Sequence, residues 1–160
     1  MKFPLGTSLG PYQVEKEDIN QKLIQYAEVT ISSAQIRALR ATPITLVAAP
    51  GAGYFLQYLA STHLYDYGGT AYTIADPGDD MKIKYNNGAG TAVAGVIAAD
   101  GFIDQVVDMV STAVGIIALD TAANLDNAKL VIHNVGGAEY ADGTGVLRIK
   151  VSYIVWPTGF

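Results

Sequence analysis

Val146-Leu147-Arg148-Ile149-Lys150-Val151-Ser152-Tyr153-Ile154-Val155-Trp156 is the stretch whose reading decides the fold. Leu147, Ile149, Val151, Tyr153 and Val155 fall on one parity, and Arg148, Lys150 and Ser152 on the other. Successive side chains of a strand point to opposite faces, so this period of two predicts a strand with one buried and one wet face. Asp142-Gly143-Thr144-Gly145 just before it is a turn sequence. It is expected to join the strand antiparallel to another near Leu130.

Working back along the chain, short β-prone runs alternate with turn signals. Met81-Lys82-Ile83-Lys84-Tyr85 alternates strictly, and Asn86-Asn87-Gly88 after it offers the positive-φ positions of a tight turn. Ala71–Ile74 ends at Asp76-Pro77-Gly78, and Tyr54–Leu64 follows the turn Pro50-Gly51-Ala52-Gly53. Gly101–Val107 allows one helical turn with Ile103, Val106 and Val107 inward, and Met109–Leu119 and Lys129–His133 complete the set. Ser32-Ser33-Ala34-Gln35 fits a capping box that starts a helix with Ile36 and Leu39 inward and Arg37 and Arg40 outward. Pro43 ends that helix by forcing Thr42 into the extended region, and Ile44-Thr45-Leu46-Val47 begins a strand. Eight or so strands with turns every 8–12 residues predict an all-β fold. The expected architecture is an antiparallel β-sandwich or jelly roll with one or two short helices, formed as a single domain by residues 22–160.

Residues 1–21 differ from the rest and are expected to form an N-terminal arm. Met1–Tyr12 carries Pro4, Pro11, Gly6 and Gly10 and no periodic pattern. Beyond Glu15, Ile19, Leu23 and Tyr26 have helical spacing, while Tyr26–Ile31 is β-rich, so both a helix and an extended lead-in remain open. The apolar residues Phe3, Leu5, Leu9, Tyr12, Val14 and Ile19 are too sparse to make a core, but each suits a pocket on a neighbouring chain. They are the candidate interface residues.

Composition narrows the function. Half of the 160 residues are apolar, 16% are charged, and the net charge is −5. Lys and Arg are missing from Ala41–Met81 and from Tyr85–Ala128, so no cationic cluster exists to displace counterions from phosphates, and no nucleic-acid partner is expected. The longest near-apolar runs, Ala92–Ala99 and Ala113–Leu119, fall far short of the roughly 20 residues of a membrane-spanning helix. Met1–Gly6 lacks the apolar stretch of a secretory signal, so a soluble protein made in a cytoplasm is expected.

The chemistry is sparse. With no cysteine, and with His63 and His133 seventy residues apart, the usual shell for a transition metal is missing, and no metal or cofactor is expected. No G-x-S-x-G elbow occurs. Pro50–Phe55 is glycine-rich but lacks the Lys-Ser/Thr of a phosphate loop. Asp76, Asp79 and Asp80 crowd one turn and leave calcium open, although Asp-Pro-Gly is also ordinary turn chemistry. Tyr54, Tyr58, Tyr65, Tyr67 and Tyr72 suit either a recognition surface or half-buried sheet positions. No catalytic residues stand out, and the protein is expected not to be an enzyme.

Ile31–Gly51, with its Ser-Ser-Ala-Gln-Ile-Arg-Ala-Leu-Arg-Ala-Thr-Pro-Ile-Thr core, resembles a segment of small tailed-phage and prophage proteins. So does the closing stretch from Leu130-Val131-Ile132-His133-Asn134 through Asp142–Gly145 to Val151. The likeness covers about the last 130 residues and leaves the arm outside. It implies a virion protein of the capsid cement, or decoration, type. Such a protein is expected to assemble as a homo-oligomer, a trimer, on the capsid surface, and its expected partner is the major capsid protein or another virion protein. A tail, neck or head-fibre component is the alternative within that context. A carbohydrate-binding β-sandwich module, to which the clustered tyrosines would belong, is the alternative from another class.

Overall fold

The structure is a computed structural model that describes residues 23–116 and 119–159. The arm, with Phe3, Leu5, Leu9, Tyr12, Val14 and Ile19, lies outside the described residues, and so does the choice between helix and extended chain up to residue 22.

Among the described residues nine antiparallel strands build the domain: β1 (Gln25–Ile31), β2 (Ile44–Val47), β3 (Tyr54–Asp66), β4 (Tyr72–Thr73), β5 (Met81–Tyr85), β6 (Met109–Val114), β7 (Leu130–Asn134), β8 (Ala141–Asp142) and β9 (Val146–Pro157). Two single-turn helices, α1 (Ser33–Ile36) and α2 (Ala122–Leu125), interrupt them. One sheet has the order β1-β9-β3-β6, a second β2-β7-β5, and β4 and β8 form a small third ladder. Inward residues of the two larger sheets share one apolar core, which is the all-β, sandwich-like fold expected.

β9 organises the larger sheet. Leu147, Ile149 and Val151 are buried, Arg148 and Lys150 are exposed, and Tyr153 and Val155 pack partly buried against the core rim. The expected partner near Leu130 is wrong. β9 lies between β1 and β3, with Val29 opposite Ile149 and His63 opposite Ile149 from the other side. Leu130 belongs to β7, which pairs with β2 and β5 in the other sheet. The turn at Asp142–Gly145 therefore carries the chain between layers. Asp142 (φ 58°) and Gly143 (φ 24°) supply the left-handed backbone it needs.

The local signals around β2 and β5 hold. Ser32 caps α1, accepting the Gln35 N–H while the Gln35 side chain accepts the Ser32 N–H, and Ile36 and Leu39 are fully buried. Met81, Ile83 and Tyr85 face the core, and Asn86 turns the chain at φ 60°. Residues 91–97 then return beside β5, bridging Lys84 to Ala92 and Met81 to Ile97, and Ala94 bridges to Gly115 at the end of β6. This segment ties the two sheets along one side.

Gly101–Val107 is not the inward helical turn expected. Phe102 and Ile103 N–H both bond to the Ala99 carbonyl, so Phe102 and Ile103 are the buried pair. Gly101 at φ 75° breaks any helix, and Val106 and Val107 emerge into solvent as the chain climbs to β6.

Candidate interaction surface

β3 positions most of the polar chemistry, and a bulge at Leu59 decides how. Between Tyr58 and Ala60 the register with β9 shifts by one residue. Before the bulge Leu56 and Tyr58 face the core; after it Ser61, His63 and Tyr65 do. Ser61 Oγ and His63 Nε2 are 2.7 Å apart, Ser61 Oγ and Tyr58 Oη are 2.7 Å apart, and the Tyr58 hydroxyl donates to the Ala113 carbonyl at 3.0 Å. Small residues on β6 make room: Ala113 lies opposite Ser61 and Ser111 opposite His63.

Burial pushes the His63 imidazole down to about 4, against a weaker opposite pull from the Ser111 backbone, so the ring is neutral at pH 7. Its Nδ1 makes no hydrogen bond of standard geometry. Burial also raises the Tyr58 phenol, with the Ser61 hydrogen bond pulling the other way. A serine beside a histidine is nucleophile chemistry only if substrate reaches it and a third group orients the ring. Here both side chains are sealed in the core, where no substrate reaches them, so the pair acts as a core strut.

The other sequence candidates also resolve into structure. His133 is half-buried on β7, its Nε2 3.1 Å from the Arg40 carbonyl oxygen. Asp79 is buried and accepts from Asp76 and Ala138 N–H; Asp80 accepts from Ala99 N–H, and Asp76 from Gly78 N–H. Each carboxylate is engaged by backbone, and among the described residues no group of three acidic or histidine side chains is placed to share a metal. Tyr58, Tyr65 and Tyr72 are core residues. Tyr65 packs at 6.1 Å centroid distance against both Tyr72 and Phe102, and the Tyr72 hydroxyl donates to the Gly145 carbonyl at 2.7 Å. Three of the five clustered tyrosines thus serve the core, while Tyr54 and Tyr67 are part-buried.

Several large apolar side chains are also exposed. On β6 the outward residues are Val110, Thr112 and Val114, the valines 64% and 69% exposed, with Leu64, Thr62 and Ala60 beside them on β3. Val106, Val107 and Leu119 extend the exposed apolar set before and after the strand. Sequence reasoning missed this because Met109-Val110-Ser111-Thr112-Ala113-Val114 puts Val110 and Val114 on the wet side with Thr112, while Ser111 and Ala113 turn inward with Met109.

A slot of about 660 Å³ opens where β6 leaves the sheet, its lining including Phe55, Leu59, Val114, Ile116, Leu125 and Trp156. The Gly115 N–H bonds to the Leu59 carbonyl and the Ile116 N–H to the Val93 carbonyl, so the chain turns away and leaves the first half of β3 paired to β9 alone. There Phe55 lies opposite Trp156, whose indole N–H donates to Gln57 at 2.6 Å. Asn127 N–H and the Tyr85 hydroxyl satisfy the Tyr54 and Leu56 carbonyls. A smaller concavity of about 350 Å³ is polar, and its Asp120 carboxylate accepts from Thr91 and Asn124. Those hydrogen bonds hold Asp120 below the usual carboxylate range.

No helix among the described residues is long and apolar enough to cross a membrane. No family model matches the chain, and no curated protein matches it. Among solved structures the chain is similar to one described as "Cyanophage Pam1 capsid asymmetric unit", at 16% identity and a TM-score of 0.49, over 95% of this chain and 99% of that one.

Proposed function

We propose that the protein is a structural, non-catalytic component of a tailed-phage virion, a cement or decoration protein that assembles as a trimer on the capsid surface. In this reading residues 1–21 tie it to the major capsid protein or to a neighbouring virion protein. The observation that carries the proposal is the apolar surface of β6 and its flanks. Isolated soluble domains seldom leave such a surface uncovered, and contact with another protein removes it from water. The sequence resemblance of Ile31–Gly51 and Leu130–Val151 supplies the phage context. The sealed Ser61–His63 pair supports a role without catalysis. The acidic balance and the missing cationic cluster argue against nucleic acid as partner.

Deleting residues 1–20 tests the arm. The truncated chain is expected to melt at nearly the same temperature, because the core is built by residues from Ile31 onward, and to lose its grip on the particle. Unfolding of the truncated chain would make the arm part of its own core. Undiminished binding would put attachment elsewhere and end the arm mechanism.

A further inference from the structure

We propose that the slot beside Trp156 receives the arm, residues 1–21, of a second copy of this chain. The inference rests on reading that segment as an arm that leaves its own domain. The slot is lined by Phe55, Leu59, Leu125 and Trp156 together with the polar Gln57 and Tyr85, and Ile116 is 48% and Val114 69% exposed at it, so apolar side chains stand open to water beside polar groups. Its volume is in the range of sites that bury a ligand.

The place where the described chain begins points to the occupant. Leu23 leads into β1, whose first residue Gln25 lies opposite Tyr153, and Tyr153 lies opposite Tyr58 at the slot. The start of β1 and the slot are therefore at the same end of the sandwich, on opposite margins of the β9–β3 ribbon, with two strand spacings of about 10 Å between them. An extended arm of this length spans up to about 70 Å. Phe3 with Leu5, and Tyr12 with Val14, are spaced by two, so an extended chain presents each pair on one face. One arm and one slot per copy make a head-to-tail contact, and such contacts close into a ring when the rotation allows, three-fold in the assembly proposed above.

The test uses the full chain in isolation, with no particle. Ile116 is replaced by p-benzoylphenylalanine, nitrogen-15-labelled and unlabelled copies are mixed in equal amounts and allowed to exchange, and the sample is irradiated. The expected products join position 116 to peptides from residues 1–21, with about half of the pairs mixed-isotope. Arm cross-links that are all same-isotope would assign the slot to the chain's own arm and overturn the proposal. Cross-links elsewhere, or none to the arm, would overturn it too. A companion variant, Ile116→Asp, is expected to lower the oligomer to monomer with an unchanged melting temperature. An oligomer that persists in it contradicts the proposal. Failure to bind a particle, with the cross-link present, would count against the virion role alone.

Discussion

Ser61 Oγ and His63 Nε2 are 2.7 Å apart in the core, two residues apart on one strand and on the same face of it. They share that face because the bulge at Leu59 reverses the parity of β3. With Tyr58 they form a polar chain ending on the Ala113 carbonyl, which fastens β3 to β6, the strand that carries the exposed valines.

The neutral His63 makes stability depend on acid. Its folded pKa, about 4, lies below the ordinary imidazole value of 6.5, so the native state binds fewer protons than the unfolded chain between these values. Its contribution is complete above pH 6.5, declines as pH falls, and is exhausted near pH 4, at a total cost on the order of 3 kcal/mol. His133, also lowered by burial first, acts in the same direction. Urea midpoints are expected to fall between pH 7 and pH 5, and His63→Gln should flatten that slope although it costs stability at pH 7. An unchanged slope in the variant would show that His63 is not the group responsible.

Gly136 packs against Asp79 so closely that an added Cβ would stand 1.8 Å from Asp79 Oδ1 and 2.2 Å from its Cα. Asp79 cannot yield without releasing the Ala138 N–H and the Tyr140 hydroxyl. Gly136→Ala is therefore expected to cost about 2–3 kcal/mol, in the range of overpacked sites. A melting temperature within a degree of the native one would contradict this packing.

Ile149, fully buried at the centre of β9, and Val110, exposed on β6, are expected to respond in opposite ways. Ile149→Ala should cost about 2–5 kcal/mol, as core truncations do. Val110→Lys should change stability by no more than about 0.5 kcal/mol and weaken binding to the particle. Full binding by the lysine variant would remove β6 from the docking surface.

The strands were legible where one physical cause acts alone. β9 alternates cleanly because one of its faces meets the core and the other meets water, and α1 announces itself through Ser32 and Gln35 because capping is local. Strand partners were not legible. Asp142–Gly145 says that the chain turns, not that it changes sheets. The bulge at Leu59 has no glycine or proline to mark it, so neither the Ser61–His63 pairing nor the parity of β3 could be read. Val106 and Val107 were expected inward but are exposed, because hydrophobicity alone does not distinguish a buried position from an exposed one.

The central claim proposed, a protein that covers a capsid, is tested most directly by its copy number in purified particles of a phage that carries its gene, measured by quantitative mass spectrometry against the major capsid protein. Hundreds of copies per particle are predicted. A dozen or fewer would place it in the neck or tail and contradict the account, and none would exclude it from the virion.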